Sequence, residues 1–152
     1  DTDKPEGDGG SSYYQSLNSK LEGKNNIRVF GTPHTLERAL FNDDKLCRFA
    51  QAVVKDMGHP KIAKECASLK GDELFNYLFG DKDTNARISK GEFAQEFARK
   101  LEELTLDCGV VKFSYEEKAE SSEGWLTKEE SLNEQNFPRN LMESIQFVCG
   151  EE

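Results

Sequence analysis

The stretch that most constrains this chain is the run of twelve residues from Asp81 to Glu92. Side chains that carry oxygen stand at its positions 1, 3, 5, 9 and 12, and the apolar Ile88 stands at position 8. Apolar residues recur at helical spacing on both sides of the run, at Leu74, Phe75, Leu78 and Phe79 before it and at Phe93, Phe97, Leu101 and Leu104 after it. The sequence therefore predicts two amphipathic helices joined by a polar loop.

This spacing resembles the calcium loop of the EF-hand family, in which oxygen ligands surround a hard cation. The resemblance implies a helix–loop–helix unit that holds Ca²⁺ through the side-chain or backbone oxygens of Asp81, Asp83, Asn85, Arg87, Ser89 and Glu92. Arg87 would supply its backbone carbonyl, Ser89 would act directly or through a water, and Glu92 would contribute both carboxylate oxygens. Ser89 and Glu92 also form a capping-box pattern, which predicts that the second helix begins inside the run.

One position departs from the family's pattern. Ala86 stands at loop position 6, where the family almost always has glycine because the backbone there is left-handed. That conformation costs a residue with a Cβ roughly 1 kcal/mol, and Lys82, Arg87 and Lys90 bring positive charge close to the ion. We therefore expect binding in the micromolar to millimolar part of the family's range. The alternative is that residues 81–85 form only a polar turn between two core helices.

A second run, residues 119–130, repeats part of this pattern further along the chain. When Leu126 is aligned with Ile88, oxygen-bearing side chains fall at loop positions 3, 5, 9 and 12, namely Ser121, Glu123, Thr127 and Glu130. Because Ala119 replaces the first ligand, we expect little or no Ca²⁺ here, and whether the run binds any metal stays open. Its expected role is to pair with the first loop, Ile88 against Leu126. The segment before it, residues 109–113, is as compatible with a strand as with a helix.

The remainder of the chain divides into a polar segment and a helical segment. Residues 1–26 are rich in Asp, Gly, Ser, Lys and Asn, which predicts a disordered tail or linker. Residues 27–70 are predicted to be a helical subdomain, in which residues 45–57 and 61–69 form an antiparallel helical hairpin. The residues 42–44 offer an N-cap for the first of these helices, and Gly58 and Pro60 mark the turn between the two. This hairpin is either a degenerate EF-hand pair or simply a helical platform.

Together these patterns predict an all-α fold. Residues 71–150 would form an EF-hand pair, with a short two-strand contact between its loops, followed by a C-terminal helix over residues 139–149. The helix that leaves the second loop is expected over residues 127–135. The helical hairpin and the disordered tail would precede this pair.

Charge and hydropathy exclude two classes of partner. The formal net charge is −9, so the chain offers no cationic surface to replace the counterions of a nucleic acid. No apolar run approaches the roughly 18 residues that a membrane span requires. We therefore expect neither a nucleic-acid partner nor a membrane span.

The cysteines bear on the cellular compartment. The chain has four, Cys47, Cys66, Cys108 and Cys149, and their spacing does not suggest a zinc site. With an even count and a first residue other than Met, we expect disulfides and a secreted protein or another oxidising compartment. Four cysteines allow three pairings, of which the local one, Cys47–Cys66 with Cys108–Cys149, would link each half separately, and the choice among them stays open. The alternative is four buried free thiols in a cytoplasmic protein.

No motif for catalysis is evident, because the chain lacks a phosphate-binding glycine loop, a nucleophile elbow and a zinc-protease helix. We therefore expect no enzymatic activity and predict a calcium-binding regulatory or protein-interaction module. Its protein partner would occupy an apolar groove that Ca²⁺ opens, lined by Phe75, Phe79, Phe93 and Phe97. Two alternatives are a disulfide-stabilised structural domain of a larger secreted protein, with a structural Ca²⁺, and a metal-free scaffold with a constant partner surface.

Overall fold

The computed structural model describes residues 16, 19–24, 36–81, 83–105, 110–121 and 124–143. In chain order they contain the helices α1 (Leu36–Leu40), α2 (Asp44–Asp56), α3 (Pro60–Glu65), α4 (Gly71–Phe79) and α5 (Lys90–Thr105), the strands β1 (Val111–Lys118) and β2 (Trp125–Leu132), and a 3-10 turn at Glu134–Asn136. Residues 139–143 are also helical. Much of the predicted tail and of the predicted C-terminal helix lies outside the described residues.

The predicted helical hairpin is formed by α2 and α3. Asp43 caps α2, because its carboxylate accepts hydrogen bonds from the backbone N–H groups of Lys45 (2.9 Å) and Leu46 (3.0 Å). Gly58 follows α2 with a left-handed φ of 86°, and Pro60 opens α3. The turn between the helices is therefore the one that the sequence predicted, although α3 ends at Glu65, earlier than expected.

The core is built around α2, whose apolar face is buried along its whole length. Phe41, Phe49 and Phe93 are almost completely buried, and so are Val53 and Val54. Aromatic rings link the elements that surround α2: the ring centroids of Phe41 and Phe93 lie 6.0 Å apart. Each fully buried side chain of this size stabilises the fold by about 1.5–3 kcal/mol.

The all-α prediction is wrong, because β1 and β2 form an antiparallel hairpin. Their register runs from Val111 opposite Leu132 to Lys118 opposite Trp125. Along β1, buried Val111 and Phe113 alternate with exposed residues, which is the two-residue period of a half-buried strand. The ring of Phe113 packs 5.2 Å from that of Phe49 on α2, so burial against the helix fixes the hairpin in place.

The hairpin also overturns the predicted second EF-hand. The residues expected to form its exiting helix, 127–135, belong largely to β2. β2 pairs with β1 along its whole length, so the predicted two-strand contact between Ile88 and Leu126 is not formed. Ile88 is buried, whereas Leu126 is 53% exposed. The predicted pairing failed because residues 125–132 pair with the preceding strand β1, and strand formation depends on packing that the local pattern does not contain.

Candidate functional site

Hydrogen bonds between residues of the loop itself stabilise the turn between α4 and α5. One carboxylate oxygen of Asp81, Oδ1, accepts hydrogen bonds from the backbone N–H groups of Asp83 and Thr84, both at 2.9 Å. The same oxygen accepts a third hydrogen bond from the Thr84 hydroxyl at 2.8 Å. These donors, with Thr84 first, lower the pKa of Asp81 below its ordinary value. The first predicted calcium ligand is therefore engaged in a turn.

Contacts with α4 hold the two ends of the loop. The backbone N–H groups of Arg87 and Ile88 donate to the carbonyl of Leu78 at 2.9 and 3.2 Å. The Arg87 guanidinium donates to the carbonyl of Tyr77 at 2.8 Å and lies 4.1 Å from the centre of the Tyr77 ring. At the start of the loop, Gly80 has φ 78° and ψ 170°. A Cβ at Gly80 would stand 2.4 Å from the Thr84 carbonyl oxygen.

Three of the predicted calcium ligands, Asp81, Asp83 and Glu92, carry carboxylates. Within the residues that the structure describes, no three His, Cys, Asp or Glu side chains form a group that could hold a metal ion. Ala86 does not adopt the left-handed backbone that the family requires at its position, since no described non-glycine residue has a positive φ. The hydroxyl of Ser89 instead accepts from the Glu92 backbone N–H at 3.4 Å, at the start of α5. Asp83 and Asn85 are exposed on the loop. Calcium binding by this loop stays a prediction from the sequence.

The residues of the second predicted loop are also separated from one another. Thr127 lies opposite Glu116, and Glu130 lies opposite Phe113, within the hairpin. The Glu130 carboxylate is bound by Arg48 at 2.5 Å and has Lys45 at 3.9 Å, so it ties β2 to α2. Ser121 is exposed at the hairpin turn, and Glu123 lies outside the described residues.

The four residues of the predicted groove do form an aromatic cluster. Ring centroids lie 5.2 Å apart for Phe75 and Phe79, 5.3 Å for Phe79 and Phe93, and 5.5 Å for Phe93 and Phe97. Three of these side chains are buried, and Phe79 is half-buried. The ring of Phe49 packs edge-on against Phe97 at 4.9 Å. The cluster is therefore part of the core.

Cys47 and Cys66 are free, buried thiols, so the predicted bridge between them is not formed in this structure. The Cys47 thiol donates to the carbonyl of Phe41 at 3.0 Å. Burial raises the pKa of Cys47, and it raises the pKa of Cys66 to about 12. Neither thiol is therefore an effective nucleophile near neutral pH. Cys108 and Cys149 lie outside the described residues.

An open groove of about 690 Å³ lies between α2, the segment 64–70 and the hairpin. We call it the hairpin groove. Tyr115 and Trp125 contribute half-buried aromatic rings to its wall. Charged side chains make up most of the remaining wall: Asp44, Arg48, Lys64, Glu65, Lys70, Glu116, Glu117 and Lys118. Arg48 lies 5.4 Å from the centre of the Tyr115 ring, and Lys64 lies at the same distance from that of Trp125.

The acidic residues of the hairpin groove all have basic partners. Asp44 pairs with Lys70 at 2.7 Å, and Glu116 pairs with Lys55 at 3.1 Å. The other two pairs are Glu65 with Lys61, at 3.9 Å, and Glu117 with Lys128. Two of the basic residues, Lys64 and Lys118, lie within 4.0 Å of no carboxylate in the described part of the chain. The wall carries four acidic and four basic side chains, and Lys64 and Lys118 are the cations of the wall that have no such carboxylate partner among the described residues.

A smaller pocket of about 330 Å³ lies between α2, α5 and β1. Gln51, which is 4% exposed, forms part of its wall. Its amide nitrogen donates to the carbonyl of Glu116 at 2.9 Å, whereas its amide oxygen has no hydrogen-bond partner among the described residues. Lys100 and Asp56, which also line the pocket, form an ion pair. The pocket therefore contains an unsatisfied buried acceptor.

The fold and these sites define a small domain in which a helical core carries a β-hairpin and an open groove. No described helix has the length and hydropathy needed to cross a bilayer. Comparisons of the chain with protein-family models, with curated proteins and with solved structures gave no match. The resemblance to EF-hands therefore rests on residues 81–92 alone.

Proposed function

We propose that this protein is a non-catalytic protein-interaction module whose binding surface is the hairpin groove. The observation that carries the proposal is that two half-buried aromatic rings, Tyr115 and Trp125, line an open concavity of about 690 Å³. Tyrosine, tryptophan and arginine are the residues that dominate binding energy at protein interfaces, and Arg48 lies beside Tyr115. A concavity of this size accommodates a short peptide segment or a few side chains of a partner.

This proposal moves the partner away from the phenylalanine cluster. Opening that cluster would expose Phe75, Phe79, Phe93 and Phe97, at a cost of about 1.5–3 kcal/mol for each fully buried ring. For the three buried rings, Phe75, Phe93 and Phe97, the sum is about 5–9 kcal/mol, which is comparable to the entire stability of a typical domain, about 5–15 kcal/mol. A groove that is already open needs no such rearrangement, which favours a constant binding surface.

The state of the thiols supports a binding role over cysteine chemistry. Cys47 and Cys66 are buried, and burial raises the pKa of both, so they remain protonated at neutral pH. A nucleophilic mechanism would require a nearby base to activate one of them. Among the described residues, the histidine that could serve as such a base is His59, which lies in the turn between α2 and α3.

Selection of phage-displayed random peptides on the immobilised protein tests the proposal. The readout for each enriched peptide is the fluorescence of Trp125, which is the only tryptophan in the chain. We expect enriched peptides to change this emission and to lose binding to Trp125→Ala. The matched control is Leu126→Ala, because Leu126 is the exposed neighbour on β2 and does not line the groove. Peptides that bind Trp125→Ala as tightly as the wild type would disprove the proposed surface.

A second candidate function is Ca²⁺ binding at the loop 81–92. Two observations favour it: α4 and α5 flank the loop, and Ile88, at loop position 8, is buried as the resemblance implies. Binding would require Asp81 to release the donors that it now accepts. Calorimetric titration with Ca²⁺ discriminates between the candidates, with Glu92→Gln as the control. We expect no stoichiometric heat at micromolar Ca²⁺, whereas one tight site that is lost in Glu92→Gln would establish the second candidate.

A further inference from the structure

We infer that the hairpin groove takes an acidic peptide segment, and that Lys64 and Lys118 select it. The inference rests on the proposed function and adds the chemistry of the partner. Its basis is the charge pattern of the wall, in which each acidic residue has a basic partner and two basic residues have no carboxylate within 4.0 Å in the described ranges. A carboxylate entering the groove therefore meets cations that need not first abandon another partner.

The position of Lys64 couples charge recognition to apolar contact. Its ammonium group lies 5.4 Å from the centre of the Trp125 ring, so a carboxylate that binds Lys64 also lies beside an aromatic surface. Lys118 is directly opposite Trp125 in the hairpin register. The two cations therefore flank one ring, an arrangement that fits an aromatic or apolar anchor side chain with acidic neighbours.

A basic peptide segment would find the carboxylates of the groove already paired with lysines. To bind the carboxylates of Asp44 or Glu116, it would have to displace Lys70 or Lys55 from ion pairs of 2.7 and 3.1 Å. It would also meet repulsion from Lys64 and Lys118. Like charges placed together at an interface reject a partner, so the groove disfavours basic peptides by the same features that favour acidic ones.

The net charge of −9 opposes an acidic ligand only at long range. At physiological ionic strength the Debye length is about 8 Å, so charges elsewhere on the surface are largely screened. The two lysines in contact with the ligand are screened much less. Selectivity for acidic segments is therefore to be measured at about 0.15 M salt.

The test uses three acetylated and amidated pentapeptides that share a central tyrosine. Two glutamates, two glutamines or two lysines flank the tyrosine on each side. Affinity for the full chain is measured by calorimetry and by Trp125 emission. We expect the glutamate peptide to bind about five- to tenfold more tightly than the glutamine peptide, because two solvent-exposed ion pairs contribute a few-fold each. The lysine peptide should bind most weakly.

Matched variants locate the selectivity. The double variant Lys64→Gln with Lys118→Gln should bind the glutamate and glutamine peptides within about twofold of each other. The control is Lys112→Gln, because Lys112 lies on the same strand as Lys118 but does not line the groove; it should retain the wild-type preference. Equal binding of the two peptides by the wild type, or an undiminished preference in the double variant, would overturn the inference and leave the groove as a peptide site. If none of the peptides binds and phage selection also yields no Trp125-dependent peptide, the proposed function fails as well.

Discussion

Replacing Gly80 by alanine tests the closed geometry of the loop between α4 and α5. Gly80 has φ 78° and ψ 170°, a region that is essentially confined to glycine and costs other residues about 1–3 kcal/mol. Its Cβ would also stand 2.4 Å from the Thr84 carbonyl oxygen and 2.8 Å from the Ala86 backbone nitrogen. Both neighbours are backbone atoms, so the loop itself must shift, at a further cost of about 1–3 kcal/mol.

The matched control is Gly58→Ala at the end of α2. Gly58 also has a positive φ, 86°, but a Cβ there meets nothing within 4 Å. It therefore carries only the left-handed cost of about 1–2 kcal/mol. In both variants, alanine lowers the conformational entropy of the unfolded chain, which adds back about 0.4–1 kcal/mol to the free energy of unfolding. We expect a net loss of roughly 2–5 kcal/mol for Gly80→Ala and about 1 kcal/mol for Gly58→Ala.

Urea unfolding followed by circular dichroism measures both free energies of unfolding. The difference between the variants reports the close approach of the loop to Gly80 together with its more restricted backbone region, because the unfolded-state contribution is the same in each. If the two variants lose the same stability, the loop does not pack against Gly80 as described. That result would also remove the structural objection to a rearranged, calcium-binding loop.

Three further predictions concern the interior. Gln51→Met should change the free energy of unfolding by less than about 1.5 kcal/mol, because the lost hydrogen bond to Glu116 is offset by removal of the unsatisfied amide oxygen of Gln51. A loss above about 3 kcal/mol in urea unfolding would show that this oxygen has a partner. Phe93→Ala should lower the free energy of unfolding by about 3–5 kcal/mol, whereas the exposed control Gln95→Ala should lower it by less than about 0.5 kcal/mol. Equal losses in the two variants would contradict the placement of Phe93 in the core. Burial raises the pKa of Cys66 from 9.0 to about 12. The neutral thiol is thus favoured by folding, so its contribution to stability is present below pH 9 and is lost as the pH rises towards 12. A thiol reagent should label Cys66 of the native protein only slowly at pH 8, as measured by mass spectrometry of the peptide that contains it. Labelling of Cys66 as fast as in urea would refute this.

Much of the helical core could be predicted from local pattern. The sequence predicted the apolar face of α2, an N-cap within residues 42–44 and a helix end at Gly58. The structure confirms all three, with Asp43 as the cap. The helices on either side of the 81–92 loop were predicted in the same way, from apolar residues three and four apart. Each of these features depends on contacts within a few residues, which a single sequence contains.

The hairpin illustrates what local pattern could not decide. Thr127 and Glu130 match a capping box, and on that basis a helix was predicted, yet both lie in β2. The match is ambiguous because the same residues also suit a strand with one exposed face. Packing of Phe113 against Phe49 and the bond from Arg48 to Glu130 join segments more than sixty residues apart, and such contacts select the strand.

The candidate site also has features that follow from local sequence and features that follow from tertiary contacts. The sequence by itself determined which residues could bind a hard cation, because oxygen spacing is a property of the chain. Only the tertiary structure decided that the Asp81 carboxylate accepts hydrogen bonds within its own turn and that the phenylalanines fill the core. It also decided that Tyr115 and Trp125 line a groove together with Lys64. A groove wall is assembled from separate segments brought together by burial, and the energy of that burial depends on the whole fold rather than on any one stretch of sequence.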